Sequence, residues 1–237
     1  MFGRKKVSGD GKHEYSEGKK LFDQGEYKSA LKILLKSAES GYAEAQYAVG
    51  IMYHDALGCS RNTAKAVEWW NRASSQGNHK AQFNLGLAYL LGEGVKKNED
   101  YAFSLVSSSA DNGYPRALYT LGNMYLLGQG AKKSETKALE CYLKAADKGH
   151  ITAQYNAGTC YEEGTGTEVD YAKAIKWYEL AAKNDYAPAQ YSLALMYGDG
   201  KGVKNNEKEA MKWLKKAAAQ GHADAAELLK NYEELSE

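Results

Sequence analysis

Proline is nearly missing: 237 residues hold two, Pro115 and Pro188. With that helix breaker scarce and helix formers dominant, the composition reads as all-α. Phenylalanine is also scarce, at 4, against 19 tyrosines, so tyrosine rings must carry much of the aromatic packing. Three cysteines, Cys59, Cys141 and Cys160, make no evenly spaced framework. They read as buried thiols of a reducing compartment. Neither charge dominates: 31 Lys+Arg face 30 Asp+Glu, which argues against a dedicated nucleic-acid binder. No apolar run approaches the roughly 18 residues that a membrane span needs, so stable membrane insertion is not expected. The opening "MFGRKKVSGDGKH" is basic and glycine-rich, without the apolar stretch of a secretory signal. Its three cations Arg4, Lys5 and Lys6, at about 1 kcal/mol each, give only weak attachment to an anionic surface. Residues 1–13 are expected to be a disordered solubilising tail, and the location cytoplasmic.

What the chain has in abundance is itself. Stepping by 36 residues from Gly58 gives Gly94, Gly130, Gly166 and Gly202; from Tyr53, Tyr89, Tyr125, Tyr161 and Tyr197; from Ala30, Ala66, Ala102, Ala138, Ala174 and Ala210. Gly41, Gly77, Gly113, Gly149 and Gly221 keep the same step, with Asp185 the exception. A fixed period of this length marks a repeat architecture.

Each unit reads as two helices. Ala81, Leu85 and Tyr89 share one stripe of the first, at i, i+4, i+8. Ala138, Cys141, Tyr142, Ala145 and Ala146 make a broad stripe on the second, where alanines let neighbouring backbones approach closely. Between the two lies a Gly-x-Gly stretch, as in "LGEGVKKNEDYA" at 91–102. A single copy would invite a phosphate-binding reading. Its recurrence in the units points instead to a helix-hairpin turn. The column that follows holds Asn62, Asn98, Ser134, Asp170 and Asn206, each a favoured N-cap for the second helix. The glycines permit the left-handed backbone on which the first helix ends.

The joint pattern is Ala-Gln-Tyr-x-Leu-Gly-x-x-Tyr, Gly-x-Gly-Val, Lys-Ala-x-x-Trp-Tyr, then Ala-Ala and Gly-His. It appears in "AQFNLGLAYLLGEGV" (81–95), "KAIKWYELAA" (173–182) and "AAAQGHADA" (217–225). This resembles the Sel-1-like repeat (SLR) family, relatives of the tetratricopeptide repeat. The resemblance implies an all-α, right-handed α-α superhelix of about six helical hairpins plus a C-terminal capping helix. It implies a tetratricopeptide-like hairpin over 14–42, turning at Gly25-Glu26-Tyr27, then five 36-residue units over 43–222 and a capping helix over 223–237. Ala56 replaces the first loop glycine of its unit, and Ala194 the helix glycine that is Gly50, Gly86, Gly122 and Gly158 elsewhere. "SLVSSSADNG" (104–113) lacks the Trp-Tyr pair; its Ser104, Ser107 and Ser108 leave an uncharged outer patch. The cysteines do not pair within repeats as in the family's disulfide-rich branch.

The family likeness further implies a protein–protein interaction scaffold, or adaptor, binding a partner peptide or protein in its concave groove. On the first helices, the columns about 200° from the buried stripe are expected to line that groove. The leading column is an aromatic ladder: Tyr47, Phe83, Tyr119, Tyr155 and Tyr191. Beside it stand Leu87, Leu90, Leu126 and Asn123, with Glu162 toward the C-terminal end and Lys80 and Arg116 at the heads of two central helices. Amphipathic rings of this kind suit recognition. The ladder has a second reading, packing adjacent first helices together. Trp69, Trp70, Trp177 and Trp213 lie on second helices and read as core.

Two other functions are weighed. Ser16-x-x-Lys19 and Ser134-x-x-Lys137 match the short motif of penicillin-recognising hydrolases, but its partner motifs are missing. A self-assembling structural element is the other; a monomer is expected. His13, His54, His79, His150 and His222 are scattered, so no metal, cofactor or catalytic residue is expected.

Overall fold

The structure, a computed structural model, describes residues 11–234. Among them are thirteen helices and no strand. A leading hairpin, α1 (Lys12–Asp23) and α2 (Tyr27–Glu39), is followed by α3 (Ala43–His54) with α4 (Thr63–Ser74), and α5 (His79–Leu91) with α6 (Glu99–Asp111). Then come α7 (Pro115–Leu127) with α8 (Glu135–Asp147), α9 (Ile151–Glu163) with α10 (Tyr171–Lys183), and α11 (Ala187–Asp199) with α12 (Glu207–Ala219). A single helix, α13 (Ala223–Glu234), ends the series. Residues 1–10 of the expected tail lie outside the described residues, as do 235–237 of the expected capping helix; Lys12 and His13 belong to α1.

The chain forms two compact units. The first takes the described residues through Ala117 with Gln129–Ala131, the second Leu118–Gly128 with Lys132 onward. Each is a stack of helical hairpins. The core of the first is built on Leu34, Val49, Met52 and Leu85, and that of the second on Tyr142, Tyr178, Leu193 and Met196, all under 2% exposed.

The loop between paired helices folds as its sequence dictates. Asn62, Asn98, Ser134, Asp170 and Asn206 each accept a hydrogen bond from the backbone N–H three residues on, at 2.9, 3.0, 3.4, 2.9 and 3.2 Å. A cap of this kind is worth about 1 kcal/mol. The two loop glycines differ in purpose. The first, Gly92 in its unit, ends the helix at φ 75°. The second, Gly94, also has positive φ, but a Cβ there would come within 2.5 Å of the Thr63 backbone at the start of the preceding second helix. It is the point where one repeat touches the next. Ala56 and Asp185, the two departures from glycine, take the left-handed conformation anyway, at φ 59° and 56°.

Two further columns fix the stacking. Gln46, Gln154 and Gln190 donate through Nε2 to the carbonyls of Ala38, Ala146 and Ala182 at 3.1, 3.3 and 3.1 Å. Each ties a first helix to the end of the preceding second helix, whose last carbonyls lack helical partners. The helix glycines lie beneath large side chains of the paired helix. A Cβ on Gly18 would reach within 2.7 Å of Leu34, on Gly86 within 2.8 Å of Val106, and on Gly122 or Gly158 within 2.6 Å of the Tyr142 or Tyr178 ring. Gly50 stands under Trp70 in the same way. In α11 the position is Ala194, and the facing residue is the smaller Leu214.

Candidate functional site

One cavity recurs at the same place in the repeat. Its clearest copy, about 310 Å³, is bounded by the last turns of α3 (Ile51, His54), by Thr63 and Trp70 of α4, and by Asn84, Leu87 and Leu91 of α5. Seventy-two residues on, Leu126, Glu135, Tyr142, Asn156, Thr159 and Glu163 of α7, α8 and α9 bound a cavity of about 410 Å³. Another such step leads to Gly198, Glu207, Leu214 and Leu228, around about 520 Å³ between α11, α12 and α13. The leading hairpin makes its own version, about 280 Å³, from Tyr15 and Phe22 of α1, Leu34 of α2, and Tyr47 and Ile51 of α3. In each case a second-helix side chain opposite the helix glycine column forms the floor: Leu34, Trp70, Tyr142 or Leu214.

The geometry is shared and the lining is not. The α1–α3 cavity is aromatic, and its ionic groups Lys19 and Asp23 pair with each other at 3.0 Å. The α3–α5 cavity carries a charged rim. His54 Nδ1 meets Asp55 at 2.5 Å, and its Nε2 meets Glu93 at 3.4 Å, with the imidazole 5.4 Å from the Trp70 ring. Arg116 completes that rim. The α7–α9 cavity holds hydroxyls and carboxylates, Thr159, Glu135 and Glu163. Burial raises the floor phenol of Tyr142 well above its ordinary pKa. Burial, then the hydrogen bond to Glu162, does the same for Tyr178. Both therefore stay protonated and donate: Tyr142 to Asn123 at 2.7 Å, Tyr178 to Glu162 at 2.6 Å.

These contacts place each expected site residue. Tyr47, Leu87, Leu126, Tyr155 and Arg116 line a cavity. Asn123 and Glu162 are engaged from within, as acceptors for Tyr142 and Tyr178. Lys80 is exposed and Leu90 half-buried, and neither lines one of the four cavities. Phe83 departs from the groove-lining expectation. It is 2% exposed, covered edge-on by the Tyr114 ring at 5.3 Å and by the Arg116 guanidinium at 5.1 Å.

The rest of the ladder shows the cause. Each ring meets the residue just before the next first helix: Tyr119 stacks on His150 at 4.7 Å, Tyr155 meets Tyr186 at 5.4 Å, and Tyr191 stacks on His222 at 4.7 Å. Half-buried ring edges remain at Tyr47, Tyr119, Tyr155 and Tyr191. The ladder thus packs layers while presenting its edges. Sequence reasoning missed the floor, because Trp70 and Tyr142 read simply as core. It also missed Tyr15 and Phe22, which lie before the regular repeats begin.

Two histidines at equivalent repeat positions, His150 and His222, are helix caps. Nδ1 of His150 and of His222 accepts the N–H of Ala153 and Ala225, at 3.2 and 3.4 Å. The Ser-x-x-Lys pairs are accounted for too. Ser134 caps α8 while the Lys137 ammonium lies over the Tyr125 ring, 5.3 Å from its centroid. Lys19 is held by Asp23. No described helix is long and apolar enough to cross a membrane.

A stack of helix pairs with glycine-ended turns, and a cavity that returns at the same place in several repeats, defines a helical repeat protein. The chain belongs to the Sel1 repeat family, matching the Sel1 repeat at residues 43–78, 79–114, 115–150, 151–186 and 187–222. A Sel1 repeat protein from Oxalobacter formigenes is similar at 29% identity and TM-score 0.83, over 94% of this chain and 87% of that one. The protective antigen c5321 of uropathogenic Escherichia coli strains, which displays an SLR fold, is similar at 29% identity and TM-score 0.89. There the match spans 92% of this chain and 48% of the antigen. A sel1 repeat protein from Klebsiella pneumoniae shares the fold at 19% identity and TM-score 0.53, over 84% and 96% of the two chains. No curated protein matches the sequence. The fold is the all-α repeat architecture that the sequence pattern implied.

Proposed function

We propose that this protein is a non-catalytic interaction scaffold whose repeated cavities seat side chains of another polypeptide. The observation behind this is the recurrence of one cavity with different linings. The scaffold columns, helix glycine, N-cap and Ala-Gln, recur with few exceptions. The cavity columns change from aromatic to charged to hydroxyl-bearing. A surface that keeps its spacing and varies its chemistry can read successive side chains along one chain. A micromolar complex needs only about 8 kcal/mol, within reach of a few desolvated rings and one paired charge. The scaffold acts as a monomer in the cytoplasm in this reading, and light scattering across concentration checks the first point.

The test compares partner capture by wild type with that by Leu91→Ser/Thr159→Lys, which alters two cavities, and by Ser104→Lys on an outer face. Leu91 is 65% exposed, so its replacement should leave the fold intact. Loss in the cavity variant and retention in the outer one is expected. Equal recovery by all three contradicts the assignment.

A further inference from the structure

His54 is the last residue of α3, and both of its ring nitrogens face carboxylates. Nδ1 meets Asp55, its neighbour in the chain, and Nε2 meets Glu93, in the loop that follows α5. The second contact therefore joins the α3 wall of the α3–α5 cavity to the chain leaving its α5 wall. Two guanidiniums complete the charged surroundings. Arg61, from the loop before α4, stands 4.0 Å from Glu93, and Arg116, from α7, lines the cavity while resting over the Phe83 ring. Trp70 of α4 faces the imidazole with its ring, and α5 contributes Asn84, Leu87 and Leu91, all uncharged. The following units do not repeat the histidine–glutamate pair: the equivalent positions hold Leu90 and Gln129, Leu126 and Thr165, Glu162 and Lys201.

An ionised carboxylate only accepts, so each of the two needs a hydrogen from the ring. The imidazolium has two and serves both. Neutral imidazole has one, and its other nitrogen turns a lone pair toward a carboxylate. One contact must then fail. The Asp55 contact is the shorter, 2.5 against 3.4 Å, and it joins adjacent residues. Glu93 is therefore the group released, with Arg61 as its remaining charged neighbour. The backbone there is held independently: the Glu93 N–H donates to the Ala88 carbonyl at 3.0 Å, and Gly94 is seated against the Thr63 backbone. Only the glutamate side chain needs to swing.

We propose that the α3–α5 cavity has a proton-operated mouth: His54 and Glu93 close it together while the imidazole is protonated, and loss of that proton releases Glu93 and opens it. The contact is thus present in acid and lost as pH rises. The device governs access to the cavity and does not depend on what occupies it, so it stands or falls apart from the interaction-scaffold reading.

The test uses the full chain with ¹³C-labelled leucine methyl groups and a neutral gadolinium chelate as the solvent probe, at pH 5 and at pH 8. Histidine changes charge between those values, whereas lysine and arginine do not. Relaxation of the Leu87 methyls by the chelate is expected to be roughly twofold greater at pH 8, the size that one part-exposed ion pair supports. The Leu228 methyls, in the α11–α13 cavity that no histidine lines, should give the same value at both. His54→Gln and Glu93→Gln should each abolish the Leu87 response. Their side chains are 32% and 44% exposed, so neither substitution disturbs the core. A Leu87 response in wild type alone supports the device. No response in wild type, one of opposite sign, an equal response at Leu228, or a response that persists in either variant overturns it.

Discussion

Gly158 of α9 lies under the ring of Tyr178 on α10, so close that a Cβ would stand 2.6 Å from two ring carbons. The same pair of positions holds Gly122 and Tyr142 one repeat earlier, and Ala194 and Leu214 one repeat later. Helix α9 and helix α10 are therefore spaced by the missing methyl. Gly158→Ala should destabilise the fold by about 1–3 kcal/mol through overpacking, despite alanine's better helix propensity. Gly158→Ala/Tyr178→Leu reproduces the pair at 194 and 214 and should recover part of the loss. Urea unfolding of the four proteins in the cycle gives the coupling, expected at about 1 kcal/mol or more. Strict additivity would mean that the glycine does not set the spacing.

Ala56 and Asp185 hold φ of 59° and 56° where sister units have glycine. A left-handed L-residue costs roughly 1–2 kcal/mol, with aspartate better tolerated. Ala56→Gly is expected to raise stability by about 1 kcal/mol and Asp185→Gly by less, both measured as a higher urea midpoint with unchanged slope.

Burial pushes the thiols of Cys141 and Cys160 up to about 11. Since the thiolate is the reactive form, iodoacetamide at pH 8 should label half-buried Cys59 first, and the other two only on unfolding. An acid whose folded pKa is raised contributes stability that is fully present below its unfolded pKa and is lost as pH rises through the folded value. These thiols, ordinarily near 9, and the buried Tyr142 and Tyr178 phenols, ordinarily near 10, all shift upward. Unfolding free energy should therefore fall from about pH 9 to pH 11, read from urea midpoints across that range. A flat profile would contradict the burial of these groups.

The sequence made the repeat legible because its period is carried by backbone needs: glycines at turns, caps before second helices, alanines where helices touch. Those columns alone place every helix of the regular units. The cavity was only half legible. Leu87, Leu126 and Arg116 follow from helical spacing, since a face is a matter of angle. Trp70 and Tyr142 do not, because a floor is made where a second helix reaches across a glycine of its partner, and spacing along one helix does not report that. Phe83 shows the same limit from the other side. Its angle matches that of Tyr119, but Tyr114, the last residue of its own repeat, and Arg116, at the start of the next, close over it.

The most direct test of the account is photo-crosslinking with p-benzoylphenylalanine placed singly at Leu87, at Thr159 and at Ser104, in extract of the native host. The first two positions line cavities of different units; the third is exposed on the outer side of α6. The account predicts one and the same crosslinked protein from Leu87 and Thr159, and none from Ser104. A partner captured from Ser104 alone, or different proteins from the two cavities, would contradict it.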